Sequence, residues 1–456
     1  MIRLFQVYYP VRTLVLLGGE LLLLIASFVL AAVIRLGADS ELMLRYENGM
    51  AKVLGVTLFA IFAAYYFDLY SPHKLTSRNE TYFRLLVLFG TMCMVLAVVG
   101  YTYPAFFTGH GIFTLGMVIA TLSVLCWRGL YVWLLRKPFL REQVYVLGSG
   151  PKADSFVQAI RERSDLGMDV VGWTGASNSL EALDSLTTAI HNLANRPTAR
   201  VVVAVSDRRG TLPVRELLDL RLRGIKIEDS AALLEKITGK IQIDDLRPSA
   251  MIFSEGFRVN EGFLFARRIV SLLVSLSILL VFAPLIPFII LGIKLTSPGP
   301  VLFSQLRVGR HGNDFRLFKF RTMRQDAEAA TGAVWAAEND PRITGFGRFL
   351  RKTRLDEIPQ LWNVLKGDMG FVGPRPERPE FVQWLTGAIP YYSLRHIIRP
   401  GLTGWAQVKY QYGASLEQTK QKLQYDLYYI KHMSLALDLL IAFETIKTVI
   451  LRRGAQ

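Results

Sequence analysis

Asp356 and Glu357 stand side by side, within six residues of Arg351, Lys352 and Arg354. Neighbours on a helix point about 100° apart, so the pair cannot share one face as i and i+4 residues do; two separate jobs suit it better. The nearby cations are expected to depress both carboxylate pKa values and keep both groups ionised. That fits a nucleophile or a metal ligand rather than a general acid. A solvated, charged helix start is the alternative. Lys319, Arg321 and Arg324 lie in Lys-Phe-Arg-Thr-Met-Arg. The imperfect alternation of Phe315, Leu317 and Phe320 with Arg316, Lys319 and Arg321 predicts a half-buried strand with a cationic face. Asn339-Asp340-Pro341-Arg342 is a turn that sets one acid beside one base. Gly373-Pro374-Arg375-Pro376 is either a rigid turn offering a guanidinium to a phosphate or a purely structural turn.

These residues need a scaffold, and composition bounds what it is. The chain has 456 residues, 51% of them hydrophobic, with 53 Lys plus Arg against 37 Asp plus Glu and a net charge of +16. Its mean hydropathy of +0.30 is too high for an ordinary soluble protein, so part of the chain is expected in a membrane. The length suggests about three domains. Cys93 and Cys126, the two cysteines, both lie in apolar stretches, which excludes a disulfide framework and a cysteine metal cluster. The positive excess calls for an acidic partner, namely phospholipid headgroups or phosphorylated small molecules. Nucleic acid is not expected, because the cations cluster beside carboxylates and apolar helices rather than along a basic stripe.

Residues 1–138 read as a four-helix transmembrane bundle. Apolar segments cover about 14–34, 53–69, 85–103 and 112–135, each near or above the ~20 residues that cross a hydrocarbon core. Arg128, late in the fourth, is expected to snorkel. The first segment is too long for a cleavable signal peptide, and no clear small-residue cleavage site follows it. Arg3 and Arg12 precede the first span, Lys74, Arg78 and Arg84 separate the second from the third, and Arg136, Lys137 and Arg141 follow the fourth. Both ends of the bundle are therefore expected on the cytoplasmic side.

Residues 139–256 read as an α/β, Rossmann-like cytosolic domain. Strand candidates at 144–147, 170–173 and 200–205 alternate with helical patterns at 152–163 and 214–223, which argues a doubly wound parallel sheet. Gly148, Gly150 and Ala153 follow the Gly-x-Gly-x-x-Ala spacing between a strand and a helix. The acidic residue expected about 20 residues on is missing, and Gly175, Ala176, Ser177 and Asn178 stand there. A role in packing, dimerisation or regulation is preferred to a bound dinucleotide.

Residues 257–456 read as a mostly α catalytic domain with a re-entrant membrane helix at about 267–293. Residues 269–293 carry no charge and are long enough to span. Arg258, Arg267 and Arg268 before them and Lys294, Arg307 and Arg310 after them make both flanks look cytoplasmic. Pro284 and Pro287 interrupt the helical bonding, so a helix hinged at Ala283-Pro284 that returns to the same face is favoured. Further on, Tyr425, Leu427, Tyr428, Tyr429 and Ile430 lie between Lys420, Lys422 and Lys431. They suit either an interfacial helix or a buried aromatic stripe.

Together these residues resemble the bacterial sugar transferases, or monotopic phosphoglycosyl transferases. The likeness covers about 266–413. It holds the apolar hairpin, Thr296-Ser297-Pro298-Gly299-Pro300-Val301, Lys319-Phe320-Arg321-Thr322-Met323 and Asn339-Asp340-Pro341-Arg342-Ile343-Thr344. Leu355-Asp356-Glu357-Ile358-Pro359-Gln360, Gly367-Asp368-Met369, Gly373-Pro374-Arg375-Pro376 and Arg399-Pro400-Gly401-Leu402-Thr403-Gly404-Trp405 follow in order. The bundle and the α/β insert are similar to the large class, which moves a hexose 1-phosphate from a UDP-sugar to undecaprenyl phosphate. The opening Met1-Ile2-Arg3-Leu4-Phe5 also resembles the exosortase-associated exopolysaccharide branch.

The resemblance implies that Asp356 attacks the β-phosphate, expels UMP and carries the phosphosugar until undecaprenyl phosphate takes it. It implies Glu357 as a Mg2+ ligand and Arg351 as a further catalytic residue. Lys319, Arg321, Asp340, Arg342, Gly373, Pro374, Arg375 and Pro376 become the phosphate and nucleotide site. Pro284 matches the family's hinge, while Ala283 stands where some members carry Ser. A homodimer in the bacterial inner membrane is expected, with its catalytic domain on the cytosolic face among membrane lipids. Two other readings are a membrane-bound nucleotide-sugar dehydratase or epimerase, for which no convincing Tyr-x-x-x-Lys pair is present, and a non-catalytic assembly scaffold.

Overall fold

A computed structural model describes residues 1–46, 48–70, 78–104, 109–135, 137, 140–148, 150–174, 199–205, 212–244, 246, 248–253, 256–258, 260–324, 340–410 and 415–450. They form two compact units, Met1–Ile2 with Tyr8–Leu233, and Arg3–Val7 with Leu234–Gln456. Lys74, Arg136, Gly175, Ala176, Ser177, Asn178, Asn339 and residue 413, named above, lie outside the described residues.

In the first unit, helices Val11–Leu36, Gly49–Tyr66, Arg78–Thr102 and His110–Leu135 follow the apolar segments. Leu16, Leu24 and Phe28 of the first pack with Met117, Ala120 and Val124 of the last. Gly19 lies under the Trp127 ring and Gly116 against Phe28, close approaches that a side chain on either glycine would block. Among the described residues, Val11–Tyr46, Gly49–Tyr66, Asn79–Thr102, His110–Leu135 and Glu261–Thr296 are long and apolar enough to cross a membrane. Arg128 does not snorkel. It is only 4% exposed, and its Nε donates to Glu20 at 2.5 Å, while the Tyr70 hydroxyl donates to the other Glu20 oxygen. A carboxylate one helix away is a better partner for the guanidinium than a climb along its own helix.

The same unit holds a parallel sheet with strands in the order Met168–Thr174, Glu142–Leu147, Ala199–Val203 and Lys226–Asp229. Helix Pro151–Arg161 turns Ala153, Phe156, Val157 and Ile160 inward. Gly148 has a φ of 141°, and a Cβ on it would lie 2.5 Å from the Ala204 carbonyl oxygen. Strand packing alone thus accounts for this first glycine.

The second unit takes in the chain from Leu234 onward. Ile241 and Ile243 share a core with Trp405, Leu423 and Leu427, the Trp405 indole donates to the Gly239 carbonyl at 2.8 Å, and Lys431 pairs with Glu235 at 2.8 Å. Helix Glu261–Phe282 breaks at Ala283–Leu285 and resumes as Ile286–Thr296. Pro284 and Pro287 supply no N–H there, which is why the helix cannot run through. Both arms pack on this one unit. Arg268 of the first donates to the Leu365 carbonyl at 2.8 Å, and Ile289 and Ile293 of the second are buried with Phe320, Leu350 and Leu361.

Strands Leu302–Val308 and Asp314–Phe320 form an antiparallel hairpin, with Phe303 opposite Lys319. Gly370–Val372 and Gly401–Thr403 form a short parallel pair. Helix Leu416–Lys431 is a core helix rather than an interfacial one, because Leu427, Tyr428, Tyr429 and Ile430 are all buried. Its tyrosines find polar partners inside: the Tyr429 hydroxyl donates to Asp438 at 2.7 Å, and that of Tyr428 to the Gln6 carbonyl at 2.9 Å.

Candidate active site

Helix Gly345–Lys352 starts on Thr344, whose hydroxyl accepts from the Gly347 N–H at 3.0 Å, and it carries Arg351 in its last turn. Arg354 then adopts a left-handed conformation with φ 58°, uncommon for a residue with a side chain. The single 3-10 turn Leu355–Glu357 follows. Leu350, Ile358 and Leu361 anchor this segment against Ile289 and Ile293 of the broken helix. Asn363 fixes it to the neighbouring strand: its side chain accepts from the Phe318 N–H at 3.1 Å and donates to the Arg316 carbonyl at 2.7 Å. Lys319 is thereby held at the dyad.

Three cations converge on one oxygen of Glu357. Its Oε1 lies 2.9 Å from Arg375 Nη2, 3.4 Å from Lys319 Nζ and 3.6 Å from Arg354 Nη1. Burial alone would raise the Glu357 pKa, but Arg375, Lys319 and Arg354 outweigh it and hold the carboxyl well below the usual range. Asp356 behaves differently from the expectation that both carboxylates are depressed. It is 6% exposed and makes no ion pair among the described residues. Burial, and then the Glu357 charge, push its pKa up against the attraction of Lys319, Arg351 and Arg354. The two neighbours thus differ in their surroundings, one saturated with cations and one not.

The remaining predicted residues form a second cluster. Arg342 chelates Asp340, with Nη2 to Oδ2 at 2.6 Å, and hydrogen bonds from Arg342 keep the Asp340 pKa low. The Met323–Ile343 bridge ties this turn to the end of the cationic strand. Arg351 donates through Nε to the Thr322 hydroxyl at 2.9 Å, and its charge acts on both Asp340 and Asp356. Arg321 faces elsewhere. Its Nη2 donates to the Ser297 carbonyl at 2.6 Å and hydroxyl at 2.9 Å, tying the strand to the exit of the broken helix. The Arg321 Nε and Nη1 are buried without a partner among the described residues, an unmet demand for an acceptor.

The turn carrying Arg375 is locked to the chain at Arg399–Thr403. Gly373 donates to the Thr403 carbonyl at 2.8 Å and Gly401 to that of Pro374 at 2.9 Å. A Cβ on Gly373 would lie 2.6 Å from the Arg399 carbonyl oxygen, so only glycine fits. Two further arginines brace this turn. Arg307 donates to the Pro376 carbonyl at 3.0 Å. Arg395 donates to the Arg375 carbonyl at 2.8 Å and to the Tyr392 hydroxyl at 2.8 Å, and it pairs with Asp426 at 3.0 Å. Burial raises Asp426 to about 6, partly offset by Arg395. No local motif marked Arg307, Arg395 or Asp426 as part of this site, because strand Leu302–Val308, the 3-10 turn Tyr392–His396 and helix Leu416–Lys431 bring them in from separate parts of the chain.

Among the described residues no group of three or more His, Cys, Asp and Glu is placed to hold a metal. The Asp356–Glu357 pair offers hard carboxylate oxygens, and those of Asp356 are not taken up by an ion pair among the described residues. That donor set fits a magnesium ion shared with substrate phosphates rather than one caged by protein alone.

Apolar helices joined to a carboxylate pair ringed by arginine and lysine are the make-up of a membrane protein that handles phosphorylated substrates. Residues 263–452 match the model of a family described as bacterial sugar transferase. An undecaprenyl-phosphate glucose phosphotransferase of Komagataeibacter xylinus is 31% identical over 381 residues, 81% of this chain and 71% of the relative. A UDP-glucose:undecaprenyl-phosphate glucose-1-phosphate transferase of Klebsiella pneumoniae is 32% identical over 332 residues, 70% of each chain. A UDP-N-acetylgalactosamine-undecaprenyl-phosphate N-acetylgalactosaminephosphotransferase of Aeromonas hydrophila is 42% identical over 242 residues, 53% of this chain, which spans little more than half of that relative, 56%. The chain belongs to the bacterial sugar transferase family.

Proposed function

We propose that the protein transfers a hexose 1-phosphate from a UDP-sugar to undecaprenyl phosphate, releasing UMP and initiating an exopolysaccharide or related glycan. The observation that carries this reading is the division of labour in the dyad. Glu357 is held ionised by Arg375, Lys319 and Arg354, while its neighbour Asp356 is buried and unpaired among the described residues. A desolvated carboxylate without its own counter-ion is a strong nucleophile once ionised. An Asp356 oxygen attacks the β-phosphorus, the bond to the UMP oxygen breaks, and UMP leaves. An oxygen of undecaprenyl phosphate then attacks the same phosphorus, and the bond to Asp356 breaks. Lys319, Arg375 and Arg351 stabilise charge on the phosphate oxygens, while Arg321, tied to Ser297, fixes the end of the cationic strand to the exit of the broken helix. Gly373, Pro374 and Pro376 hold the Arg375 turn, and Asp340 orients Arg342. Glu357, with the substrate diphosphate, would hold Mg2+, which when bound neutralises the leaving UMP.

The broken helix suits a lipid acceptor. Its two arms contact the same unit, which a straight span would not allow, so we read it as a hairpin hinged at Ala283-Pro284 that enters one leaflet and returns. Four N-terminal spans in the bacterial inner membrane, a Rossmann-like insert used for packing or homodimer formation and a cytosolic catalytic unit complete the proposal. The relatives' names support undecaprenyl phosphate as acceptor and glucose or N-acetylgalactosamine as the sugar. The test is UMP release by the full-length protein in nanodiscs, given a panel of UDP-sugars, undecaprenyl phosphate and Mg2+. One sugar is expected to release UMP with wild type and none with Asp356→Asn. Equal release by Asp356→Asn would sink the mechanism.

A further inference from the structure

A second cationic pocket lies at the foot of the broken helix, apart from the Glu357 cluster. Leu264, Arg267, Arg268 and Ser271 line one side from a single helical face, and Arg310, Arg399 and the strand around Gly370 close the other. Its charges do not balance. Arg267 is neutralised by Asp438 at 2.7 Å, and Arg310 by Glu261 at 3.1 Å. Arg268 spends its terminal nitrogens on the Val364 and Leu365 carbonyls. Arg399 has no hydrogen bond or ion pair among the described residues. Asp368, itself paired with Lys366, also attracts Arg268, but Arg399 repels Arg268 across the pocket and has no carboxylate of its own among the described residues, so positive charge is left over. The chain from 269 to 293 carries no charge, so the pocket sits where the apolar hairpin begins, which for a membrane-entering hairpin is headgroup depth.

We propose that this pocket binds a phosphate oxyanion, supplied by the headgroup of an anionic phospholipid of the surrounding membrane. The depth argues for the source. The last polar turn of a membrane-entering helix meets lipid phosphates first, and arginine grips them with paired N–H donors. The site would hold the hairpin at a fixed depth while leaving the Asp356 region to the substrates. It rests on the membrane-entering reading of the broken helix, which cysteine accessibility near Gly299 tests separately: labelling only from the periplasmic side would make the segment a true span.

The experiment uses full-length protein in phosphatidylcholine nanodiscs with and without phosphatidylglycerol. Native mass spectrometry counts the phosphatidylglycerol retained after release from the disc, for wild type, Arg399→Gln and Arg310→Gln. Arg399→Gln is expected to lower retention roughly fivefold. Arg310→Gln, at a half-exposed turn, provides the second reading and should lower it in the same direction. Thermal stability in pure phosphatidylcholine is expected to match wild type for both. Equal phosphatidylglycerol retention by wild type and both variants would overturn the site. If inorganic phosphate in lipid-free detergent stabilised the wild type as much as phosphatidylglycerol does, the lipid source would be overturned. UMP release in phosphatidylcholine alone, unchanged by either variant, is expected, and keeps this outcome distinct from failure of the transferase reading.

Discussion

Glu20, buried among the N-terminal helices, and Glu357, half-buried in the catalytic unit, are both carboxylates facing arginine. Glu20 meets Arg128 and the Tyr70 hydroxyl, one anion to one cation, inside a packed helical core. Glu357 collects three cations while the carboxylate beside it collects none. The first arrangement is balanced and works as an internal clamp. The second concentrates positive charge in excess of what its own carboxylate needs, and phosphate is the ligand that excess fits. Buried charge alone does not mark a reactive site; imbalance around it does.

Breaking each pair should therefore damage different properties. Asp356→Asn is expected to lower UMP release by at least about a thousandfold with little change in thermal stability, read by kinetics beside a melting curve. Glu20→Gln should do the reverse. Leaving Arg128 buried and unpaired costs about 3–5 kcal/mol of stability, while the rate per folded molecule stays the same. The double variant Glu20→Gln with Arg128→Met should recover most of that loss, and a full loss in the double variant would show that the clamp reading is wrong.

His396 sharpens the contrast, since it is a buried base beside a like charge. Burial, and then Arg395, lower its pKa to about 4. Above the unfolded value of about 6.5 the imidazole is neutral in both states and has no linkage effect. As the pH falls from there towards 4, the unfolded chain takes up a proton that the folded chain refuses. Stability should then decline by up to about 3 kcal/mol. Denaturation midpoints across that window should show the slope in wild type and a flatter one in His396→Gln.

The smallest effect is expected at Arg395, which acts only through Arg375. Arg395→Lys keeps a charge opposite Asp426 but cannot also serve the Tyr392 hydroxyl and the Arg375 carbonyl. We expect kcat to fall about tenfold with KM for the UDP-sugar nearly unchanged. A fall matched by an equal loss of folded protein would make Arg395 purely structural.

Much of the site was legible because its members lie in short motifs: Asp356-Glu357, Lys319 and the Arg375 turn meet in space. Arg354 was visible as a nearby charge, but its left-handed backbone and its contact to Glu357 were not. Arg307, Arg395 and Asp426 were hidden, since strand and helix packing brings them together and no local spacing records it. The same holds for Glu20 and Arg128, which sit on different helices, so a rule for a lone charge in a lipid-facing helix misassigned Arg128. The ionisation of Asp356 also ran against expectation. Counting nearby cations ignores that Glu357 absorbs three of them and that burial penalises whichever carboxylate remains. Nor does composition reveal that Ile241 and Ile243 complete the core around Trp405, because residues 234–256 read as soluble.

The central claim is that Asp356 carries the phosphosugar. Full-length protein mixed with its UDP-sugar and Mg2+, without lipid acceptor, should gain the mass of one hexose phosphate and release an equal amount of UMP. The adduct should map to Asp356, vanish on adding undecaprenyl phosphate and never form in Asp356→Asn. UMP release that requires the acceptor, with no adduct at any time, would contradict it.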